Sequence, residues 1–126
     1  MDKLQNKTVL VVDDEERNTF ALKSYLETIG MKIRSATNGE ETISLLRTGD
    51  HPDMILLDMM MPVMDGFETL AALKEEGLLH AIPVIAVTAR AMKGDREKCL
   101  DAGAWDYVSK PIDLALLIDK MKKWII

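Results

Sequence analysis

Short aliphatic or β-branched runs recur along this chain, each stopping at a polar or acidic residue before an amphipathic stretch begins, and that alternation constrains the fold more than any other feature. Thr8 to Val12 ends abruptly in Asp13, Asp14, Glu15 and Glu16. Leu22, Leu26 and Ile29, with Tyr25 beside them, then return at helical spacing until Gly30 stops them. Met31 to Ala36, a turn at Asn38-Gly39 and a helix over Glu40 to Arg47 make a second unit. Asp53 to Leu57, a loop from Asp58 to Asp65 containing Pro62, and a helix from Gly66 to Glu76 make a third. Pro83 to Val87 predicts a fourth strand, followed by a weakly amphipathic helix over about Gly94 to Ala102. Trp105 to Val108 predicts a fifth; Lys110-Pro111 turns the chain, and Leu114, Leu117, Ile118, Met121 and Ile125 form a helical stripe. Strands and helices in strict alternation predict an α/β fold, an open doubly wound parallel sheet with right-handed crossovers and helices on both faces. Five such units are too few for an eight-fold barrel.

In an open α/β sheet the functional crevice lies beyond the carboxyl ends of the strands. Those positions carry Asp13 and Asp14, then Asp58, then Thr88, then Lys110. Carboxylates gathered in a partly dehydrated crevice repel one another unless a cation sits among them. Oxygen donors without a Cys/His cluster suit Mg²⁺ and disfavour zinc. An ionised aspartate beside such a cation is a competent nucleophile toward a phosphoryl group, and the transfer needs positive charge and hydrogen-bond donors around the equatorial oxygens. Lys110 and Thr88 supply both. Asp58, the lone acid at the end of a central strand, is the best nucleophile candidate, and Asp13 and Asp14 are better suited to hold metal.

Asp13-Asp14, Asp58 with Pro62 and Asp65-Gly66 after it, Thr88-Ala89 and Lys110-Pro111 together resemble the receiver domains of bacterial two-component response regulators, over roughly residues 7–124. The resemblance implies a flavodoxin-like five-stranded sheet of order 2-1-3-4-5 that accepts phosphate from a histidine kinase or a histidine phosphotransfer protein. It implies Asp58 as the phosphorylated residue, Asp14 and Asp58 as direct Mg²⁺ ligands, Asp13 as a ligand acting through water, and the Met60 carbonyl as a further one. Thr88 and Lys110 would bind the phosphoryl oxygens, Tyr107 would be the switch aromatic, and Lys110-Pro111 would be cis. Phosphate on Asp58 would draw Thr88 and Lys110 inward and reshape the face made by helix four, strand five and helix five. The residues two beyond Asp58 and Thr88, Met60 and Arg90, are implied to tune hydrolysis. Met60 has no group able to orient water as an amide or acid would, so slow self-dephosphorylation is expected.

With 16 basic and 21 acidic residues in 126, a formal charge of −5 disfavours direct nucleic-acid binding. The single cysteine excludes an internal disulfide, and no stretch reads as a secretory leader or a membrane span, so a cytoplasmic protein is expected. One domain over residues 1–126 without an output domain is expected, acting as a monomer or weak dimer on a downstream protein target. A receiver excised from a hybrid sensor kinase is the alternative, which the Ala91-Met92-Lys93-Gly94-Asp95 stretch and apolar C-terminus would also suit. A small Mg²⁺-dependent phosphatase is disfavoured, because position 60 holds Met rather than a second Asp as general acid. Met54, Met59, Met60, Met61 and Met64 read as core and loop packing, Cys99 as a small buried hydrophobe, Trp105 as a core aromatic, and His51 and His80 as surface residues.

Overall fold

Two segments, Met54–Asp58 and Val84–Thr88, are apolar up to a single polar last residue, the pattern that burial on both faces of a parallel sheet demands. They are strands β3 and β4, and in the computed structural model, which describes residues 3–89 and 94–125, every residue of both is buried. The remaining strands are β1 (Thr8–Val12), β2 (Lys32–Ala36) and β5 (Asp106–Ser109). Between and after them run α1 (Glu16–Thr28), α2 (Gly39–Arg47), α3 (Gly66–Glu75), α4 (Asp95–Asp101) and α5 (Leu114–Trp124). All pairings are parallel and the order is β2-β1-β3-β4-β5, as the family resemblance implies. The edge strands β2 and β5 are only partly buried, in keeping with their mixed sequences.

Side chains alternate between two cores, as the period of a strand requires. Leu10, Val12, Ile55, Leu57, Val84 and Ala86 face one side, where Ile43 and Leu46 of α2, Leu70 and Leu73 of α3 and Cys99 of α4 cover them. Val9, Val11, Met54, Leu56, Ile85 and Val87 face the other, closed by Leu22 and Leu26 of α1 and Leu117 and Met121 of α5. Among the described residues no helix is long and apolar enough to cross a membrane.

Four strands, β2 to β5, begin one residue later than their apolar runs predict. Asp53 is occupied outside the ladder, its carboxylate accepting from the Thr8 N–H at 2.8 Å. Pro83 has no N–H to give, and β4 starts after it. The shift makes Asp58 and Thr88 the last residues of their strands rather than the first beyond them. Trp105 departs from its expected place in the core: it is half-buried, meets Trp124 edge to face at 5.5 Å and 82°, and donates its indole N–H to the Leu79 carbonyl at 2.7 Å. An indole N–H needs a partner, and that requirement holds the ring at the margin.

The C-terminal helix is tied to β5 by a polar network around Asp106. One carboxylate oxygen accepts from Lys120 Nζ at 2.9 Å and from the Tyr107 N–H at 2.8 Å, and the other from Trp124 Nε1 at 2.8 Å. Lys120 also donates to the Tyr107 carbonyl. Burial by itself pushes the Asp106 carboxyl up, but the bonds from Trp124, Lys120 and the Tyr107 N–H, with the Lys120 charge, outweigh it and hold the group below the usual carboxylate range. Its stabilising contribution is therefore full above about pH 3.8 and disappears as pH falls through the lower folded value. Asp106→Ala leaves a lysine and an indole without their acceptor and is expected to cost about 2–3 kcal/mol in urea unfolding at neutral pH. An unchanged unfolding midpoint would show that water replaces the carboxylate at no cost.

Candidate functional site

Parallel strands deliver their carboxyl ends to one edge, so the residues that close or follow β1, β3, β4 and β5 become neighbours. Asp13 and Asp14 follow β1, Asp58 closes β3, Thr88 closes β4 and Lys110 follows β5. One carboxylate oxygen each from Asp13, Asp14 and Asp58 lies within 4.8 Å of the others. Lys110 Nζ reaches Asp13 Oδ2 at 3.4 Å and Asp58 Oδ2 at 3.6 Å, and the Lys110 N–H donates to the Thr88 carbonyl at 2.8 Å. Asp58 is 3% exposed, Asp13 and Thr88 are buried, and Asp14 is exposed. A cavity of about 540 Å³ opens against Asp13, Asp58 and Lys110 and continues over Leu56, Val87 and Ile112 on the α1 and α5 side.

Local structure holds each acid. The Met60 N–H donates to Asp58 Oδ1 at 3.0 Å. Asp13 accepts from the Glu15 N–H at 2.8 Å and from Asn18 Nδ2 at 3.3 Å, so it turns back on the start of α1 while Glu15 occupies the N-cap without a side-chain bond. The loop after β3 ends in a capping box at α3, where Asp65 accepts from the Glu68 N–H and Glu68 from the Asp65 N–H. Gly66 lets this turn close on the site: a Cβ there would lie 2.6 Å from the Met59 Cα, the residue next to Asp58. Ahead of the box, Val63 at φ 69 forms a tight turn in which the Met64 N–H donates to the Pro62 carbonyl at 2.8 Å.

Burial is the main reason the Asp58 carboxyl titrates above its ordinary range. The Met60 N–H and the Lys110 charge pull it down less, and Asp13 and Asp14 push it further up. Crowded by two further acids, a carboxylate so placed attracts a cation. The donor set fits Mg²⁺: three aspartates offering oxygen, one of them exposed, with no His or Cys among them.

Tyr107 is half-buried, its ring packed against the core under α2, α3 and α4. Burial, with the charges of Asp95 and Cys99, pushes its hydroxyl up. Lys110-Pro111 is cis. Arg90, and with it the stretch to Lys93, lies outside the described residues. Met60 is exposed whereas Met54, Met59 and Met61 are buried; Cys99 is buried, and His51 and His80 are exposed. Two residues escaped the sequence reading. Asn18 holds Asp13 from one turn into α1, and an amide five residues after an acid carries no distinctive signal. Asp106 was visible as an acid inside an apolar strand, but its partners Lys120 and Trp124 lie 14 and 18 residues away.

Residues 9–122 match the response regulator receiver domain. The polar-differentiation response regulator DivK of Brucella ovis is 39% identical over 119 residues, 94% of this chain and 96% of that protein. The receiver domain of the Francisella response regulator 1452 superposes with a TM-score of 0.88 at 30% identity, over 95% of this chain and 97% of the other. A chain in the co-crystal structure of the Saccharomyces cerevisiae histidine phosphotransfer signaling protein Ypd1 with the receiver domain of its downstream response regulator Ssk1 superposes at 0.87, with 25% identity and coverage of 97% and 90%.

Proposed function

This chain belongs to the response regulator receiver domain family, and on that premise we propose that it is a phosphoryl-accepting switch whose acceptor is Asp58. The observation that carries the proposal is the gathering of three aspartates within 4.8 Å, with Lys110 Nζ 3.6 Å from Asp58. Asp13, Asp14, Asp58 and the Met60 carbonyl would hold Mg²⁺, which when bound neutralises charge on the phosphoryl oxygens. An Asp58 oxygen attacks phosphorus; an O–P bond forms as the P–N bond of a donor phosphohistidine breaks, and the electron pair leaves with the imidazole nitrogen. The Met60 N–H steadies one Asp58 oxygen, and Lys110 and the Thr88 hydroxyl receive the charge that develops on the transferred group.

A histidine kinase or a histidine phosphotransfer protein is the proposed donor, a reading supported by the Ypd1 and Ssk1 pairing. Drawn toward the new phosphate, Thr88 and Lys110 would free space for Tyr107 and alter the face of α4, β5 and α5, to which a downstream protein target binds. The activity is regulatory: the domain catalyses only its own phosphorylation and dephosphorylation. A cytoplasmic location belongs to the same proposal. Incubation with Mg²⁺ and acetyl phosphate, followed by intact mass, tests it. One phosphoryl group retained on Asp58 supports the switch; continuous turnover of donor would mean a phosphatase, and no uptake a receiver that only binds proteins.

Slow decay of the phosphorylated form follows from Met60, whose thioether is a poor hydrogen-bond acceptor for an attacking water. Met60→Asn supplies an amide oxygen there, and one added hydrogen bond in the transition state accelerates hydrolysis up to about tenfold. Loss of the phosphoryl mass after removal of donor measures the rate, and an unchanged half-life would remove Met60 from the water path.

A further inference from the structure

Seven methionines fall within the described residues, and their exposure divides them sharply: Met31, Met54, Met59, Met61 and Met121 are buried, Met64 is partly covered, and Met60 is 51% exposed. The buried thioethers are shielded from solutes in water. Met64 packs over Gly39, where a Cβ would lie 2.7 Å from its sulfur. Met60 combines a reachable sulfur with a backbone N–H bonded to Asp58 at 3.0 Å. The most exposed of these side chains thus belongs to the residue whose backbone N–H holds the carboxylate that the switch uses.

We propose that Met60 is a modification site, oxidised by a peroxide to the sulfoxide, and that this oxidation shortens the life of phosphate on Asp58. The second half rests on the phosphoacceptor reading above. In the step, the sulfur lone pair attacks one peroxide oxygen, an S–O bond forms and the O–O bond breaks. The thioether loses two electrons, and the departing hydroxide takes a proton to become water. A thiol-dependent reductase reverses the change.

The consequence follows from hydrogen bonding. A thioether accepts weakly, whereas the sulfoxide oxygen accepts strongly. A water that donates one O–H to the sulfoxide keeps a lone pair free for phosphorus, and hydrolysis gains the orientation that native Met60 withholds. Oxidation elsewhere would act differently: at Met59 or Met61 it would force a polar group into the core and unfold the loop.

Dilute hydrogen peroxide is the probe. After brief treatment and digestion, peptide mass should show sulfoxide at Met60 accumulating at least about tenfold faster than at Met31, Met54, Met59, Met61 or Met121. Equal rates would overturn the site. Treated and untreated protein are then loaded with acetyl phosphate and Mg²⁺, the donor is removed, and the phosphoryl mass is followed. The treated wild type should lose phosphate several-fold faster, and peroxide should make no difference to Met60→Leu. An accelerated loss that persists in Met60→Leu, or no acceleration in the wild type, would overturn the proposed effect. Met60→Gln, which carries a permanent amide oxygen, should decay faster than Met60→Leu without peroxide; equal decay would also count against it. Failure of untreated protein to take phosphate would overturn the phosphoacceptor reading and the lifetime effect together, while the selectivity of oxidation stands on the peptide masses alone.

Discussion

Asp58→Asn is expected to abolish phosphate uptake and, in the absence of Mg²⁺, to raise thermal stability at neutral pH. The amide has no ionised oxygen with which to attack phosphorus, so no phosphoryl mass should appear with Mg²⁺ and acetyl phosphate. The gain in stability has a separate origin. Burial raises the carboxyl above its ordinary 3.8, so the folded chain keeps its proton to higher pH than the unfolded chain does. The sign then follows: wherever the folded state binds more protons, stability falls as pH rises, here from about 3.8 up through the raised folded value. Asparagine never ionises and retains an oxygen for the Met60 N–H bond. The difference in melting temperature between variant and wild type should open across that window and stay constant above it. Mg²⁺ should close it, because a cation among Asp13, Asp14 and Asp58 stabilises the wild type more than a variant lacking one of the charges. A difference that is flat in pH would mean that charge burial at residue 58 carries no cost. Phosphate uptake by the variant would place the acceptor elsewhere.

How much of this was legible beforehand depends on the range of the interaction. The alternation of apolar runs and helical stripes specified five strands and five helices with little error, because burial on both faces leaves Met54–Asp58 and Val84–Thr88 no other composition. The position of the acids at strand ends was equally local, and once β1 and β3 are neighbours their parallel register brings Asp13, Asp14 and Asp58 together. The strand order did not come from periodicity; it came with the family resemblance, since nothing in a five-residue strand names its neighbour. What was illegible is long-range and polar. Trp105 reads as an ordinary core residue until Leu79 is found to offer its carbonyl, and nothing in the sequence pairs Lys120 with Asp106, 14 residues away. The exposure of Met60 among buried methionines was also hidden, because Met59, Met60 and Met61 are chemically identical in sequence and only the turn after β3 separates them.

Lys110→Ala is expected to move two measurements in opposite directions. In the native chain the ammonium lies 3.4 Å from Asp13 and 3.6 Å from Asp58, so it neutralises part of the charge that attracts a cation. Removing it leaves the aspartates facing one another with no fixed counter-ion, which strengthens the pull on Mg²⁺. At this separation and partial burial the lost competition is worth on the order of 1 kcal/mol or more, so the Mg²⁺ titration midpoint should fall about fivefold or further at low salt and less in high salt. Phosphate uptake should nevertheless slow by about 10²–10³, because the group that would receive charge on the transferred oxygens is gone while Asp58 remains free to attack. The two effects separate the roles of a residue that otherwise looks like one member of an ion pair. If Mg²⁺ affinity rose and uptake were unchanged, Lys110 would serve only to hold the acids in the empty site. Were uptake lost together with Mg²⁺ affinity, the lysine would be acting through the fold of the turn that follows β5. Tighter metal with slow transfer is the combination that a charge acting on the phosphoryl group itself produces.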